Sequence, residues 1–77
     1  MDVRIGIADT PKEIEVDLGD SVKEDDVQKQ IEAVLAGSPA VLWLTDRRGR
    51  KVGVPAVKIA YVEIDGGKAD HRVGFVG

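Results

Sequence analysis

The first part of the chain alternates apolar and polar residues with a period of two, and this pattern predicts two β-strands. Val3, Ile5 and Ile7 alternate with small or charged residues, and the turn signal Asp-Thr-Pro follows at residues 9–11. The next run alternates again: its apolar positions are Ile14, Val16 and Leu18, and its acidic positions are Glu13, Glu15 and Asp17. We expect an opening hairpin whose second strand shows an acidic face to water.

The apolar spacing becomes helical after residue 20. Ser21 and Glu24 have the spacing of a capping box, in which each side chain accepts a hydrogen bond from a backbone N–H at the start of a helix. The apolar residues that follow lie on one stripe: Val27, Ile31, Val34 and Leu35. Gly37 is typical of the position after a helix, and Pro39 prevents continuation. The sequence therefore predicts an amphipathic helix over residues 22–36.

The rest of the chain is typical of short strands separated by turns. An apolar run at 41–45, a turn at 46–49 and a strand at 50–54 predict a second hairpin with a basic tip. Pro55 interrupts this strand, and after a tight turn at 56–58 a further strand is expected at 59–64. Residues 65–68 are interpreted as a loop, and residues 72–76 as either a short edge strand or a docked tail.

The order of these elements predicts a small α+β fold. We expect one domain over residues 1–77, built in two layers with one helix on a mixed sheet in the order ββαβββ. This order and length resemble the ubiquitin-like, or β-grasp, fold. A partly closed small barrel is the alternative.

The strands predicted at 41–45 and 59–64 carry apolar residues on both faces, and this favours an interaction surface. One helix covers only one face of a sheet, so the other face must be closed by curling, by the C-terminal segment, or by a second copy or partner. The candidate apolar interface consists of Leu42, Trp43, Leu44 and Tyr61. A protein partner or a homodimer is therefore expected.

The charge distribution is asymmetric along the chain. The net charge is −3, but the acids are concentrated in residues 1–45 and the bases in residues 46–77, and such a distribution can orient a partner or favour self-association.

There is no cysteine, which excludes disulfides, thiolate metal sites and cysteine nucleophiles. No stretch reads as a secretory signal or a membrane span, so we expect a cytoplasmic protein with no membrane partner.

The candidate partner-binding cluster is the basic tip of the second hairpin: Arg47, Arg48, Arg50 and Lys51. Four cations around a glycine can contact phosphates or an acidic protein surface. Nucleic acid is the less favoured of these two partners, because the chain is acidic overall and has only one Trp, one Tyr and one Phe for stacking on bases.

The sequence offers no candidate catalytic, cofactor-binding or metal-ligating residues. No glycine pattern matches a phosphate-binding loop, and His71 is the sole histidine, without a second ligand or a nucleophile beside it. We therefore expect no enzymatic activity and no cofactor. The leading hypothesis is a protein-interaction or self-association module. The alternatives are a nucleic-acid accessory protein that contacts phosphates through the basic hairpin, and a small-ligand or nucleotide binder.

Several segments together resemble a family of small actinobacterial proteins of unknown function. The resemblance covers nearly the whole chain, from Val-Arg-Ile-Gly-Ile at 3–7 and Asp-Thr-Pro-Lys-Glu at 9–13 to Arg-Val-Gly-Phe at 72–75. Its strongest segment is Lys-Ile-Ala-Tyr-Val-Glu-Ile at 58–64. The resemblance implies no mechanism.

Overall fold

The computed structural model describes residues 1–65, which form one helix and five strands. The strands are β1 (Asp2–Ile7), β2 (Glu13–Asp17), β3 (Val41–Thr45), β4 (Lys51–Pro55) and β5 (Ile59–Asp65). The helix α1 spans Glu24–Leu35, and a 3₁₀ turn at Ala56–Lys58 joins β4 to β5. The predicted edge strand at 72–76 and His71 lie outside the described residues.

The strands pair as two antiparallel sheets. One sheet has three strands in the order β2-β1-β5, and the other is the β3-β4 hairpin. The α+β class is confirmed and is consistent with a small β-grasp-like fold, and the sheets of the described residues do not close into a barrel. The structure therefore has two antiparallel sheets where the sequence predicted a single mixed sheet. β5 starts beside the end of β1, where the Ala8 N–H donates to the Lys58 carbonyl at 2.8 Å. From that point β5 runs back along β1, so the two strands are antiparallel.

The core lies between the inner faces of the two sheets and the helix. Its buried residues come from β1 to β4, from the helix and from Leu18, which directly follows β2: Val3, Ile5, Val16, Leu18, Val27, Ile31, Val34, Leu42, Leu44 and Val54. Side chains of β5 pack against this cluster without being fully buried. The alternation predicted for the first hairpin is confirmed, since Val3, Ile5 and Val16 all face inward.

The helix starts later than the capping box predicts, and that prediction is wrong. Lys23 is the N-cap residue, and no side chain bonds to the first turn. The Asp26 and Val27 N–H groups both donate to the Lys23 carbonyl, at 3.1 Å, so the first helical hydrogen bonds end at Lys23. Ser21 lies two residues before this N-cap and does not cap the helix.

The predicted end of the helix is confirmed in detail. Gly37 has a φ of +107°, a conformation that glycine adopts without steric cost. Its N–H donates to the Val34 carbonyl at 2.9 Å, and the Ser38 N–H donates to the Ala33 carbonyl at 3.0 Å. These two bonds form a Schellman motif, which satisfies carbonyls that the helix leaves free.

One helical side chain also reaches the second sheet. The Gln30 amide Nε2 donates to the backbone carbonyl of Trp43 at 2.6 Å, so α1 is joined to β3 by a polar contact as well as by apolar packing.

Candidate functional site

The tip of the β3–β4 hairpin is organised around the carboxylate of Asp46. One of its oxygens accepts hydrogen bonds from the N–H groups of Arg48 and Arg50, at 2.9 and 2.8 Å. The other oxygen lies 3.2 Å from the Arg50 Nε. Gly49 completes the turn with a φ of +90°. The turn geometry therefore depends on an aspartate that also neutralises one of the four candidate cations.

A second aspartate docks the hairpin tip onto the first sheet. The Arg47 N–H donates to the Asp17 backbone carbonyl at 2.8 Å, and the Arg47 guanidinium lies 3.3 Å from the Asp17 carboxylate. The other oxygen of that carboxylate accepts from the Gly19 N–H at 2.9 Å. Arg47 therefore positions the hairpin, and its positive charge is compensated by the carboxylate of Asp17.

These hydrogen bonds lower the pKa of both aspartates below the ordinary value of 3.8. For Asp46 the largest cause is the Arg50 N–H, and for Asp17 it is the Gly19 N–H; partial desolvation opposes the shift in each case. A carboxyl whose pKa is lower in the folded state favours folding when it is ionised. Both contributions are therefore fully present above the unfolded pKa, near pH 4, and are lost as the pH falls through the folded values.

We expect acid to destabilise the protein partly through these two carboxyls. The free energy of unfolding, measured by urea denaturation from about pH 6 down to about pH 2, should fall in the acidic half of this range. The variant Asp46→Asn should show a smaller fall, and the variant with both Asp17→Asn and Asp46→Asn a smaller one still. If the double variant keeps the slope of the wild type, these carboxyls do not cause the pH dependence.

The remaining two cations of the tip are not neutralised in this way. Among residues 1–65, no ion pair includes Arg48 or Lys51, and both residues are exposed. Arg48 faces a charged groove between the hairpin tip and the first sheet. This groove is lined by four acids and three arginines: Asp2, Glu15, Asp17, Asp46, Arg47, Arg48 and Arg50.

Lys51 belongs to a different surface, the outer face of the β3–β4 hairpin, which we call the hairpin face. Its six residues form three cross-strand pairs: Val41 with Pro55, Trp43 with Gly53, and Thr45 with Lys51. The six-membered ring of Trp43 fills the space above Gly53, where an added Cβ would lie 2.6–2.8 Å from three ring atoms. Trp43 nevertheless stays 58% exposed. The hairpin face therefore presents a supported aromatic ring beside a cation.

The outer face of the three-stranded sheet, which we call the acidic face, has the opposite character. Its positions form three rows across β2, β1 and β5: Glu13–Gly6–Tyr61, Glu15–Arg4–Glu63 and Asp17–Asp2–Asp65. The only described cation within these rows is Arg4, which pairs with Glu63 at 3.2 Å. Most side chains on this face are carboxylates.

Tyr61 crosses the acidic face from β5 to β2. Its ring lies over Gly6, and its hydroxyl donates a hydrogen bond to Glu13. This bond is the largest of the causes that raise the Tyr61 pKa above its ordinary value. Gly6 is therefore a glycine because a side chain at this position would displace the tyrosine ring.

The structure separates the four residues of the candidate apolar interface. Leu42 and Leu44 face the core and are 1% and 4% exposed, so they are not available at the surface. Trp43 and Tyr61 are exposed, but on different sheets. Sequence reasoning missed the pairing of each aromatic with a glycine on the neighbouring strand. A glycine inside a strand pattern was the available signal, because it marks a close approach.

Neither a metal-binding cluster nor a membrane-spanning helix is found among the described residues. No group of three or more His, Cys, Asp or Glu side chains within residues 1–65 is arranged to hold a metal ion. None of the described helices is long and apolar enough to cross a membrane.

Comparison with known proteins identifies a family and no activity. No curated protein matches the chain. A family model described as "Protein of unknown function (DUF3107)" matches residues 1–76. Because this match covers nearly the whole chain, the protein belongs to the DUF3107 family, whose function is unknown.

Proposed function

We propose that this protein is a cytoplasmic, non-enzymatic protein-binding module whose hairpin face binds an acidic partner protein. The observation that carries the proposal is the exposure of Trp43, which is 58% even though its ring is supported from below by Gly53. Tryptophan is the residue type most enriched at the positions that dominate binding energy in protein interfaces. An exposed ring of this size is therefore a candidate anchor.

The support from Gly53 makes the ring well suited to binding. An interface side chain that must be immobilised loses conformational entropy when the partner binds. The Trp43 ring is already held across the hairpin by its neighbour on β4. Less entropy is then lost on association than with a freely rotating tryptophan.

The surroundings of the ring indicate the chemistry of the partner. Pro55 and the half-buried Val41 lie on the same face, and Val57, in the turn after β4, is 85% exposed. Lys51 adds a cation that has no ion pair in the described chain. The complementary surface has an apolar pocket for the ring and one or more carboxylates beside it.

Nucleic acid is the second candidate, and one observation favours it. An aromatic ring next to a lysine is also the arrangement that stacks on a base and contacts a phosphate. Two features weigh against it: Arg47 and Arg50 are paired with aspartates, and the acids of the charged groove repel phosphates. A small-ligand or nucleotide binder is less favoured still, because the sequence has no phosphate-binding loop.

The test compares what the protein and its variants capture from a native lysate of the source organism, with and without nuclease treatment. A partner bound by the hairpin face should be captured by the wild type and lost about tenfold or more with Trp43→Ala. Lys51→Glu should weaken capture several-fold. The isolated partner should also shift the fluorescence of Trp43, since this is the sole tryptophan of the chain.

Lys12→Glu is the matched control, because it changes the net charge by the same amount as Lys51→Glu. Lys12 is exposed and lies in the turn between β1 and β2, away from the hairpin face. Equal capture by the wild type and both hairpin variants would refute the proposal. Capture that disappears with nuclease, and that weakens steeply with salt, would support nucleic acid instead.

A further inference from the structure

The charged groove brings carboxylates and a free arginine to one surface without pairing all of them. Among residues 1–65, ion pairs join Arg47 to Asp17 and Arg50 to Asp46. Arg48 lines the same groove but takes part in no ion pair that these residues make. Its backbone N–H bonds to Asp46, but its guanidinium forms an ion pair with none of the groove carboxylates and is available to a second molecule.

Two acids on the other side of the groove, Asp2 and Glu15, are available in the same way. Asp2 lies opposite Asp17 on the neighbouring strand β2. Like charges directly opposite each other in a sheet are destabilising. Glu15 is exposed, and the ion pairs of residues 1–65 do not include it or Asp2. A cation placed over Asp2 and Glu15 would relieve this repulsion.

A groove that offers unpaired charges of both signs is complementary to a copy of itself. In a two-fold symmetric interface, the same patch is used by both subunits, so each contact occurs twice. We propose that two copies of this chain associate through the charged groove, with Arg48 of each copy against Glu15 and Asp2 of the other. The hairpin face stays outside this interface, because Trp43 and Lys51 lie on a different surface from the groove.

The charges determine how such a dimer behaves. Exposed ion pairs contribute little each and are screened by salt. The association is therefore weak and falls as ionic strength rises. We expect sedimentation equilibrium at high micromolar protein to show a dimer at about 50 mM salt, with a dissociation constant at least about tenfold larger at about 500 mM.

A charge exchange tests the specific contact. Arg48→Glu places two acids opposite each other, and Glu15→Lys places two cations opposite each other, so each variant alone should be monomeric. An equimolar mixture of the two variants should form a heterodimer, because positions 48 and 15 then carry opposite charges at both copies of the contact. A chain that carries both substitutions should also dimerise.

Three outcomes overturn the proposal. They are a wild type that stays monomeric at low salt, single variants that dimerise like the wild type, and a mixture that stays monomeric although circular dichroism shows both variants folded. If Glu15→Lys fails to fold, Arg48→Gln and Lys12→Glu replace the exchange: the first should weaken the dimer and the second should not.

Trp43→Ala separates this inference from the proposed function. It should leave dimerisation unchanged while abolishing capture of the partner protein. Loss of dimerisation in this variant would place the interface on the hairpin face and overturn the groove as the site.

Discussion

Replacing Leu42 by alanine is expected to lower the free energy of unfolding by about 3 kcal/mol. Leu42 is 1% exposed and lies opposite Val54 in the hairpin, where both side chains face the core. Truncation removes buried apolar surface and leaves a cavity. A chain of this length has a total stability of about 4–12 kcal/mol, so the loss is a large fraction of the total. Thermal denaturation should show a midpoint lower by roughly 15 °C.

Leu35→Ala is the matched control, because the same atoms are removed from a side chain that is 53% exposed. This variant should lower the free energy of unfolding by less than about 1 kcal/mol, since it removes little buried apolar surface. An equal decrease in the free energy of unfolding for the two variants would show that Leu42 is not buried in the core.

Gly6→Ala is expected to lower the free energy of unfolding by about 1–2 kcal/mol, although alanine is the smallest possible addition. The new methyl group would overlap the ring of Tyr61. The ring must then move into solvent, and the hydrogen bond from its hydroxyl to Glu13 is lost. Urea denaturation of the wild type and the variant measures this cost.

The same substitution in a Tyr61→Ala background separates the ring from other causes. Without the ring there is no overlap at position 6, and alanine loses less conformational entropy than glycine on folding. We therefore expect the cost of Gly6→Ala to disappear or to change sign. A cost that persists in this background would show that the backbone at Gly6, and not the tyrosine, requires a glycine.

The sequence was informative wherever one face of an element is buried. The period of two placed Val3, Ile5 and Val16 on the inner face, and Gly37 marked the end of the helix correctly. These features depend on neighbouring residues and on local conformation, which a single sequence contains. The start of the helix was less predictable, because Ser21 and Glu24 have the spacing of a capping box although Lys23 is the N-cap residue and no side chain caps the helix.

Strand pairing could not be predicted from the apolar alternation in the same way. A mixed sheet and two antiparallel sheets have the same alternation of apolar residues along each strand. The choice depends on contacts between distant segments, such as the hydrogen bond from Ala8 to Lys58.

The candidate site was predicted only in part. The four cations were correctly assigned to one hairpin, but pairing of Arg47 with Asp17 joins residues thirty positions apart, and periodicity does not reveal it. Likewise, the run at 41–45 is apolar at every position but its last, so the sequence does not show which side faces the core. The structure leaves Trp43 on the surface and removes Leu42 and Leu44 from it.

The bond from Gln30 to the Trp43 carbonyl has a consequence for aggregation. The segment Val-Leu-Trp-Leu-Thr is β-prone and uncharged, which is the composition that favours fibril formation when a strand edge is open. The side-chain amide of Gln30 bonds to the Trp43 carbonyl, which is one of the hydrogen-bonding groups in the middle of this edge. Asp46, Arg47 and Arg48 follow the segment directly and act as charged gatekeepers at its end. The chain can therefore carry an aggregation-prone strand with an exposed tryptophan, because its edge is partly occupied and its end is charged.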